Sequence, residues 1–211
     1  AGAGKTFTIV EKIKYLVNEK NIKPCEILVI SFTNKSVDDL KRKIDYEIDI
    51  MTFHKLAMSI LDKKNIQYSL VSDNYLEYVT DEFFKGIELE KKDEILKYFK
   101  EYDYDNFLES YRFREFKKLI ITLIKLYKTN NKTKDDIKKL LLKDNFLTKY
   151  AYIVKCVYES ELKSSRKYDF DDLIIKATES LDENLGYKYI IIDEFQDTSF
   201  VRYQLIHAIQ V

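Results

Sequence analysis

The chain has 211 residues, of which 45% are hydrophobic and 34% are charged. This hydrophobic fraction is ample for a packed core, so the composition excludes wholesale disorder. Because 36 basic residues balance 36 acidic ones, any attraction to nucleic acid must come from a local patch and not from net charge.

The residue types that favour tight turns or form disulfides are scarce in this chain. With only 4 Gly and 1 Pro, the sequence predicts long helices and few tight turns. No stretch approaches the ~20 consecutive apolar residues that a membrane span needs, so we expect no membrane partner. The 2 Cys lie far apart and only 2 His accompany them, which indicates neither a disulfide framework nor a zinc site. We expect reduced thiols in a cytoplasmic protein.

Three apolar runs are predicted to form buried strands. β-branched runs that are separated by helical segments are typical of the central strands of a parallel sheet. The predicted strands are Ile27–Phe32, Glu47–Met51 and Tyr187–Asp193. Apolar residues at helical spacing predict helices at Thr6–Glu19, Ser36–Ile44 and Phe53–Leu61.

The middle of the chain, from about residue 68 to 165, shows no convincing strand and almost no Gly. Helices are predicted there at Asn74–Phe84, Lys91–Tyr102, Asn106–Lys128, Asp135–Lys143 and Phe146–Lys163. Thr133 to Asp136 resembles a helix-capping signal. We therefore predict an α/β domain, residues 1–66 and 166–211, that is interrupted by an all-helical insertion at residues 67–165.

The chain opens with small residues that are followed by a lysine and a threonine. Phosphate binding needs close backbone amides, which Gly2, Ala3 and Gly4 permit. Lys5 can reach the β- and γ-phosphates, and Thr6 can hold Mg²⁺. A helix that begins here would point its positive dipole end at a nucleotide. The full pattern G-x-x-x-x-G-K-S/T would start before residue 1, so a chance glycine-rich terminus is the alternative interpretation.

The third predicted strand runs into two carboxylates, Asp193 and Glu194. Asp193 is interpreted as a second magnesium contact and Glu194 as the base for an attacking water. A solvated acidic turn is the alternative for an isolated Asp-Glu pair. The presence of Lys5 and Thr6 favours the nucleotide hypothesis, because phosphoryl transfer needs charge neutralisation and water orientation in one site. In open α/β sheets, such sites form at the carboxyl ends of strands.

The ends of the other two predicted strands carry aromatic, amide, hydroxyl and basic groups. Phe32, Thr33 and Asn34 follow the first strand, and Thr52 and His54 follow the second. Single-stranded DNA is bound by such a mixture, because aromatic faces stack on bases while polar groups contact phosphates. Taken singly, the phenylalanine is more typical of a core and the histidine of a structural role.

Four segments, in this order, resemble the motifs of UvrD/Rep-type superfamily 1 DNA helicases and their RecB/AddA-type relatives. They are Ala1–Thr6, Ser31–Ser36, Met51–Ala57 and Ile192–Thr198. The run Asp-Glu-Phe-Gln-Asp-Thr that ends the last segment is highly specific to this family, and Tyr168–Leu173 resembles a further family segment. The resemblance covers essentially the whole chain. It implies a RecA-like P-loop NTPase domain whose fold is interrupted by a helical subdomain.

The resemblance also implies an activity: 3′-to-5′ translocation on single-stranded DNA and unwinding of partly duplex DNA, with ATP and Mg²⁺ as cofactors. Lys5 and Thr6 would bind phosphate and Mg²⁺, and Asp193 would be the magnesium carboxylate. Glu194 would be the catalytic base, while Gln196 would lie near the γ-phosphate and couple hydrolysis to movement. The residues at the ends of the first two strands would lie along the DNA track.

The family pattern extends beyond both ends of this sequence. It includes residues before position 1, further motifs after position 211, and a second RecA-like domain that would be a partner of this one. An arginine finger from that domain contributes about 10³–10⁵ in turnover in related phosphoryl-transfer enzymes. We therefore expect little or no ATPase or unwinding activity from the 211 residues alone. DNA-stimulated hydrolysis that is lost on Glu194→Gln would contradict this expectation.

Two alternatives for the function differ in class. Another P-loop NTPase, such as a kinase, is disfavoured by the Phe195–Thr198 segment. A non-catalytic DNA-binding or protein-interaction module on a helicase-like fold would bind DNA without regard to nucleotide. The pathway, whether repair, recombination, replication or defence, stays open.

Two further segments, Tyr102–Phe116 and Asp169–Asp172, are interpreted as structural. Aromatic residues between Tyr102 and Phe116 alternate with basic ones, a mixture that also suits DNA contact. The interpretation favoured is a helical-bundle core with a charged outer face. The carboxylates of Asp169 to Asp172 are expected to cap a helix or to pair with basic neighbours.

Overall fold

The computed structural model describes residues 3–141 and 146–210, and residues in contact divide the chain into two compact units. The first unit comprises Ala1–Gln67 and Phe170–Val211, and the second comprises Tyr68–Asp169. Strands β1 (Ile27–Ser31), β2 (Asp49–Thr52) and β3 (Tyr189–Ile192) all belong to the first unit. The helices in the described residues are α1 (Ala3–Asn18), α2 (Asn34–Lys43), α3 (Phe53–Lys63), α4 (Tyr75–Gly86), α5 (Leu89–Phe99), α6 (Tyr104–Glu109), α7 (Tyr111–Thr129), α8 (Lys134–Leu141), α9 (Phe146–Ser165), α10 (Phe170–Glu179) and α11 (Phe200–Gln210).

The three strands form one parallel sheet in the order β2-β1-β3. The register places Val29 of β1 beside Ile50 of β2 and Ile191 of β3. Every residue of the central strand β1 is buried, because a strand with neighbours on both sides and helices over the sheet is shielded from water. The predicted α/β fold with a parallel sheet is confirmed. Its consequence is that the carboxyl ends of all three strands meet at one edge.

One core of the first unit forms where α1 and α2 meet the sheet. Its buried residues are Val10, Ile13, Leu16, Ile27, Val29, Val37, Leu40, Ile44 and Ile50. Apolar residues three or four positions apart on α1 place one stripe of that helix against β1, as amphipathic spacing requires. The sequence interpretation missed α10 and α11 of this unit. α10 is short, and of its buried residues Leu173, Ile174 and Ala177 only Leu173 belongs to the family-like segment Tyr168–Leu173.

The second unit contains helices α4 to α9 and, among its described residues, one isolated parallel bridge between Leu70 and Tyr168. Aromatic side chains form much of its core. Phe84 and Phe113, for example, meet edge to face with ring centroids 5.2 Å apart, a geometry that aromatic quadrupoles favour. Phe107 and Phe116 are also buried. The interpretation of this stretch as a bundle core is confirmed for these residues, whereas Tyr102 is 99% exposed.

The prediction of one continuous helix at Asn106–Lys128 was wrong. The helix is interrupted at Ser110, which separates α6 from α7. The hydroxyl of Ser110 accepts a hydrogen bond from the backbone N–H of Phe113 at 3.1 Å and so caps α7. The predicted helix Lys91–Tyr102 ends early, at Phe99, because Lys100 has a left-handed φ of 56°.

The capping signal at the start of α8 is confirmed. The backbone N–H of Asp136 donates to the Thr133 hydroxyl at 3.2 Å, and the Thr133 N–H donates to the Asp136 carboxylate at 3.1 Å. The end of the predicted helix Asp135–Lys143 lies outside the described residues. Within residues 3–141 and 146–210, no helix combines the length and apolar character that crossing a bilayer demands.

Candidate active site

Two residues that lie 189 positions apart in the sequence, Lys5 and Glu194, form an ion pair. Lys5 is in the first turn of α1, and its Nζ donates to both carboxylate oxygens of Glu194 at 2.7 Å. The side-chain amide of Gln196 donates to the same carboxylate. The structure thus brings the three predicted catalytic residues into one hydrogen-bonded group at the end of β3.

The ion pair changes the pKa of both partners. The hydrogen bond from Lys5, and then that from Gln196, lowers the pKa of Glu194 below its ordinary value. The hydrogen bond to Glu194 raises the pKa of Lys5, and the nearby charges of Asp193 and Asp197 raise it further. Both groups are therefore charged at neutral pH. Because the Lys5 side chain is 62% exposed, solvent screens the attraction and the pair contributes little to stability.

The backbone at Glu194 occupies the left-handed region, with φ of 54° and ψ of 45°. Just before it, the Asp193 N–H donates to the carbonyl of Ile30 at 2.9 Å and extends the β1–β3 pairing by one residue. The chain then turns sharply into a 3₁₀ turn at Phe195–Asp197. A left-handed conformation costs a non-glycine residue about 1–2 kcal/mol. Lys100 and Arg166 share this positive φ, so at Glu194 it explains the sharp turn after β3 and by itself indicates no function.

Asp193 is held at the strand edge by the neighbouring strand. Its Oδ2 accepts a hydrogen bond from the hydroxyl of Ser31, the last residue of β1, at 3.3 Å. Thr6 is half-buried in the first turn of α1, and that turn contains no acidic residue. A Cβ added at Gly4 would meet no atom of the described residues within 4 Å, so space beside this residue is open. Gly2 lies outside the described residues, as does the side chain of Ala3.

The threonines that were predicted to contact DNA both cap helices. The Thr33 hydroxyl accepts from the Ser36 N–H at 3.1 Å at the start of α2. The Thr52 hydroxyl accepts from the Lys55 N–H at 3.3 Å at the start of α3. The preference of helix N-termini for threonine was a signal for this role that the sequence interpretation did not use. Asn34, the first residue of α2, is exposed.

The two predicted DNA-binding rings lie against other aromatic rings of the first unit. Phe32 is partly exposed and meets the buried Phe53 with ring centroids 5.4 Å apart and an interplanar angle of 62°. His54 packs against Phe170, the first residue of α10, with ring centroids 4.3 Å apart and an interplanar angle of 32°. Phe170 was not among the predicted site residues, although it belongs to the segment Tyr168–Leu173 that carried part of the resemblance.

In the second unit, the carboxylate of Asp169 lies 2.8 Å from Nζ of the buried Lys128. It also accepts a hydrogen bond from the hydroxyl of Tyr158 at 3.1 Å. The expectation that this carboxylate pairs with a basic neighbour is confirmed for Asp169.

A family model for the UvrD/REP helicase N-terminal domain matches residues 1–210. The chain belongs to the UvrD/REP helicase family. Over 98% of its length it is 29% identical to the ATP-dependent DNA helicase PcrA of Staphylococcus epidermidis. It is 30% identical, over the same share, to the ATP-dependent DNA helicase Rep of Buchnera aphidicola subsp. Acyrthosiphon pisum. A probable DNA helicase II homolog of Mycoplasma capricolum is 28% identical over the full chain.

The chain spans between 28% and 32% of the length of these three relatives. The N-terminal domain of UvrD/REP helicases is RecA-like, and the parallel sheet of the first unit agrees with that fold. In this UvrD/REP domain, the residues of the two predicted sites lie at or just after the carboxyl ends of strands, except for the predicted phosphate-binding residues at the start of α1. The residues predicted to bind nucleotide begin α1 or follow β3. The residues predicted to bind DNA lie at the ends of β1 and β2.

Proposed function

We propose that the chain is the ATP-binding portion of a DNA helicase that moves 3′-to-5′ along single-stranded DNA and couples ATP hydrolysis to unwinding. The observation that carries the proposal is the group formed by Lys5, Glu194 and Gln196, at the sheet edge that also bears Phe32 and His54. A motor needs both a hydrolytic centre and a strand-binding surface on one rigid element. In this proposal residues 1–66 and 166–211 form the RecA-like domain, and residues 67–165 form its helical subdomain.

The start of α1 fits the phosphate groups of ATP. Gly2, Ala3 and Gly4 would present backbone amides, and the open space beside Gly4 would admit a phosphate. The positive end of the helix dipole and the absence of acidic residues from the first turn both favour an anion there. Lys5 would exchange its carboxylate partner for the β- and γ-phosphates.

The oxygen donors of the site fit Mg²⁺ that arrives with a nucleotide. Thr6 offers a hydroxyl and Asp193 a carboxylate, and Mg²⁺ is commonly bound by one or two protein oxygens together with phosphates and water. Among the described residues there is no cluster of three or more His, Cys, Asp or Glu that could hold a metal ion alone. The bound ion would supply neutralisation of the phosphate charge.

Glu194 would act as the general base once a phosphate competes for Lys5. The hydrogen bonds from Lys5 and Gln196 lower the pKa of Glu194 and so weaken it as a base. Loss of the Lys5 hydrogen bond to a phosphate would raise that pKa again and make the carboxylate a better acceptor for the proton of an attacking water. Gln196, which donates to the same carboxylate, would orient it. Near the γ-phosphate, Gln196 would also couple hydrolysis to movement. Efficient turnover would also require the second RecA-like domain of the family as a partner.

The DNA strand would run along Phe32, Thr33, Asn34, Thr52 and His54. The partly exposed ring of Phe32 offers a stacking surface for a base. Because the two threonine hydroxyls accept hydrogen bonds from backbone amides, their contribution to DNA contact would come through the position of the helix ends.

Binding of single-stranded DNA with and without ATP tests the proposal. We expect the 211-residue chain to bind a fluorescent oligothymidine, and we expect MgATP to change that affinity. Lys5→Ala should abolish the effect of MgATP and leave binding without nucleotide unchanged. Lys14→Ala, which removes another exposed lysine of α1 that pairs with a glutamate, is the matched control and should behave like wild type.

Two outcomes would reject the proposal in different ways. DNA binding that ignores MgATP in the wild-type chain would favour a non-catalytic DNA-binding module. Failure to bind single-stranded DNA under either condition would show that the proposed DNA-binding residues of this chain do not form a DNA-binding surface.

A further inference from the structure

Three side chains from three different elements meet beside the carboxyl ends of β1 and β2. Phe32 follows β1, Phe53 begins α3, and Arg202 lies in the first turn of α11. The guanidinium carbon of Arg202 lies 5.1 Å from the ring centroid of Phe32 and 5.7 Å from that of Phe53. With the two rings 5.4 Å apart, the three groups form a nearly equilateral cluster.

The rings, and not hydrogen bonds, hold the inner part of the Arg202 side chain. Its Nε is buried and has no hydrogen-bond partner among the described residues. A buried donor without a partner is costly, so packing against the rings must offset this cost. A guanidinium is suited to that role, because it is planar, weakly hydrated and attracted to aromatic faces.

The two aromatic rings differ in what they can do. Phe53 is 2% exposed and belongs to the core, whereas Phe32 is partly exposed in the loop that leads into α2. The buried ring supports the exposed one from one side, and the guanidinium contacts both. Phe32 is therefore held between a fixed ring and a fixed cation, with part of its surface open to solvent.

Helix α11 sets the position of the guanidinium. Val201 and Leu205, on either side of Arg202 in the sequence, are both fully buried. The helix follows the turn that contains Glu194 and Gln196. The buried residues of α11 therefore fix where Arg202 meets Phe32.

We propose that Arg202 is a positioning residue that holds the Phe32 ring as a platform for a base of single-stranded DNA. It acts through Phe32 and does not itself contact the strand. The platform role rests on the function proposed above, but the contact between Arg202 and Phe32 does not.

Fluorine NMR tests the contact without DNA. With para-fluorophenylalanine incorporated at position 32, Arg202→Met should shift or broaden the resonance, because the ring loses the cation that restricts it. Methionine keeps much of the side-chain length, and the far-UV circular dichroism and melting temperature of the variant show whether it folds. Arg42→Met removes an exposed arginine of α2 that pairs with Asp39, and this control should leave the resonance unchanged. An unchanged resonance in a folded Arg202→Met variant would overturn the inference.

Two oligonucleotides of equal length, one with bases and one abasic, test the platform role. Arg202→Met should weaken binding of the oligonucleotide with bases by about tenfold, the worth of roughly one stacked base, and leave binding of the abasic one unchanged. Arg202→Lys, which keeps the charge, should restore part of the affinity. In a Phe32→Leu background, Arg202→Met should have no further effect.

The remaining outcomes are distinguishable. An equal loss of affinity for both oligonucleotides would mean that Arg202 contacts the sugar–phosphate backbone, and would overturn the positioning role. If the wild-type chain binds neither oligonucleotide, the proposed function and the platform role fail together, while the fluorine spectra still decide whether Arg202 holds the ring.

Discussion

At the scale of single residues, the Lys5–Glu194 ion pair joins two of the proposed catalytic groups. The ammonium group that is suited to a phosphate donates to both oxygens of the carboxylate that is suited to activate water. The lowered pKa of Glu194 and the raised pKa of Lys5 mean that the pair is charged throughout the pH range between those two values. A phosphate must therefore compete with a full negative charge for Lys5.

This competition leads to a prediction for nucleotide affinity. Glu194→Gln should bind a fluorescent ATP analogue more tightly than wild type, by about threefold, the modest gain expected when one exposed ion pair no longer competes. A fluorescence titration at neutral pH measures the change. Glu11→Gln removes the carboxylate of another exposed lysine pair on α1 and should leave the affinity unaltered. Weaker binding by Glu194→Gln would show that the carboxylate assists the nucleotide and does not compete with it.

Thr33 and Thr52 are both N-cap residues. Each occupies a strand end where a DNA contact was predicted, and each caps the helix that follows. A hydroxyl that satisfies a free backbone amide fixes the start of the helix. The loop that carries Phe32 is thereby held at its far end by a cap.

At the scale of elements, caps decide where helices begin. The aromatic stretch has enough helical spacing to support one long helix, yet α6 and α7 are separate. Ser110 adopts an extended backbone, with ψ of 158°, and its hydroxyl caps α7. The break allows Phe107 and Phe113 to meet, with ring centroids 5.6 Å apart, as an uninterrupted helix would not.

Removal of this cap should weaken the second unit. Ser110→Ala is expected to lower the free energy of unfolding by about 1 kcal/mol, because the Phe113 amide loses its acceptor. Urea denaturation followed by circular dichroism measures the midpoint. Ser160→Ala, at an exposed position inside α9, is the matched control and should not lower the midpoint, because Ala has the higher helix propensity. Equal midpoints for the two variants would show that the cap contributes nothing.

At the scale of the whole molecule, each of the two units contains a hydrophobic core built from its own residues. One contains Ile13 and lies between the sheet and its helices, and the other contains Ile124 within the helices of the second unit. Both side chains are 0% exposed. A long insertion is tolerated in such a chain because closing a long loop costs only slightly more than closing a short one, provided that the insertion has its own core.

The two cores should respond separately to truncation. Ile124→Ala should cost about 2–5 kcal/mol and should raise hydrogen exchange chiefly within Tyr68–Asp169. Ile13→Ala removes the same atoms from the other core and should raise exchange chiefly in Ala1–Gln67 and Phe170–Val211. Hydrogen–deuterium exchange with mass spectrometry resolves the two regions. A uniform rise along the chain for either variant would show that the whole chain unfolds as one cooperative unit.

Much of this architecture could be predicted from the sequence because its signals are local. The β-branched runs predicted β1 and β3 to within two residues at either end, and the Thr133–Asp136 pattern predicted a capping box. Composition alone predicted a folded, helix-rich chain. The order of the family segments predicted the UvrD/REP family, which the match over residues 1–210 confirms.

Tertiary structure decided what depends on residues far apart in the chain. Nothing near Lys5 in the sequence shows that its ammonium lies 2.7 Å from Glu194, and nothing near Phe32 shows that Arg202 covers its ring. Periodicity and capping depend on how a segment folds against its immediate neighbours. The Lys5–Glu194 and Arg202–Phe32 contacts depend on how the sheet and its helices pack. The sequence by itself therefore determined the family, the elements and the chemical groups. Only the packing of the sheet with helices α1, α3 and α11 decided which of those groups meet, because this packing brings together strand ends and helix starts that the chain keeps apart.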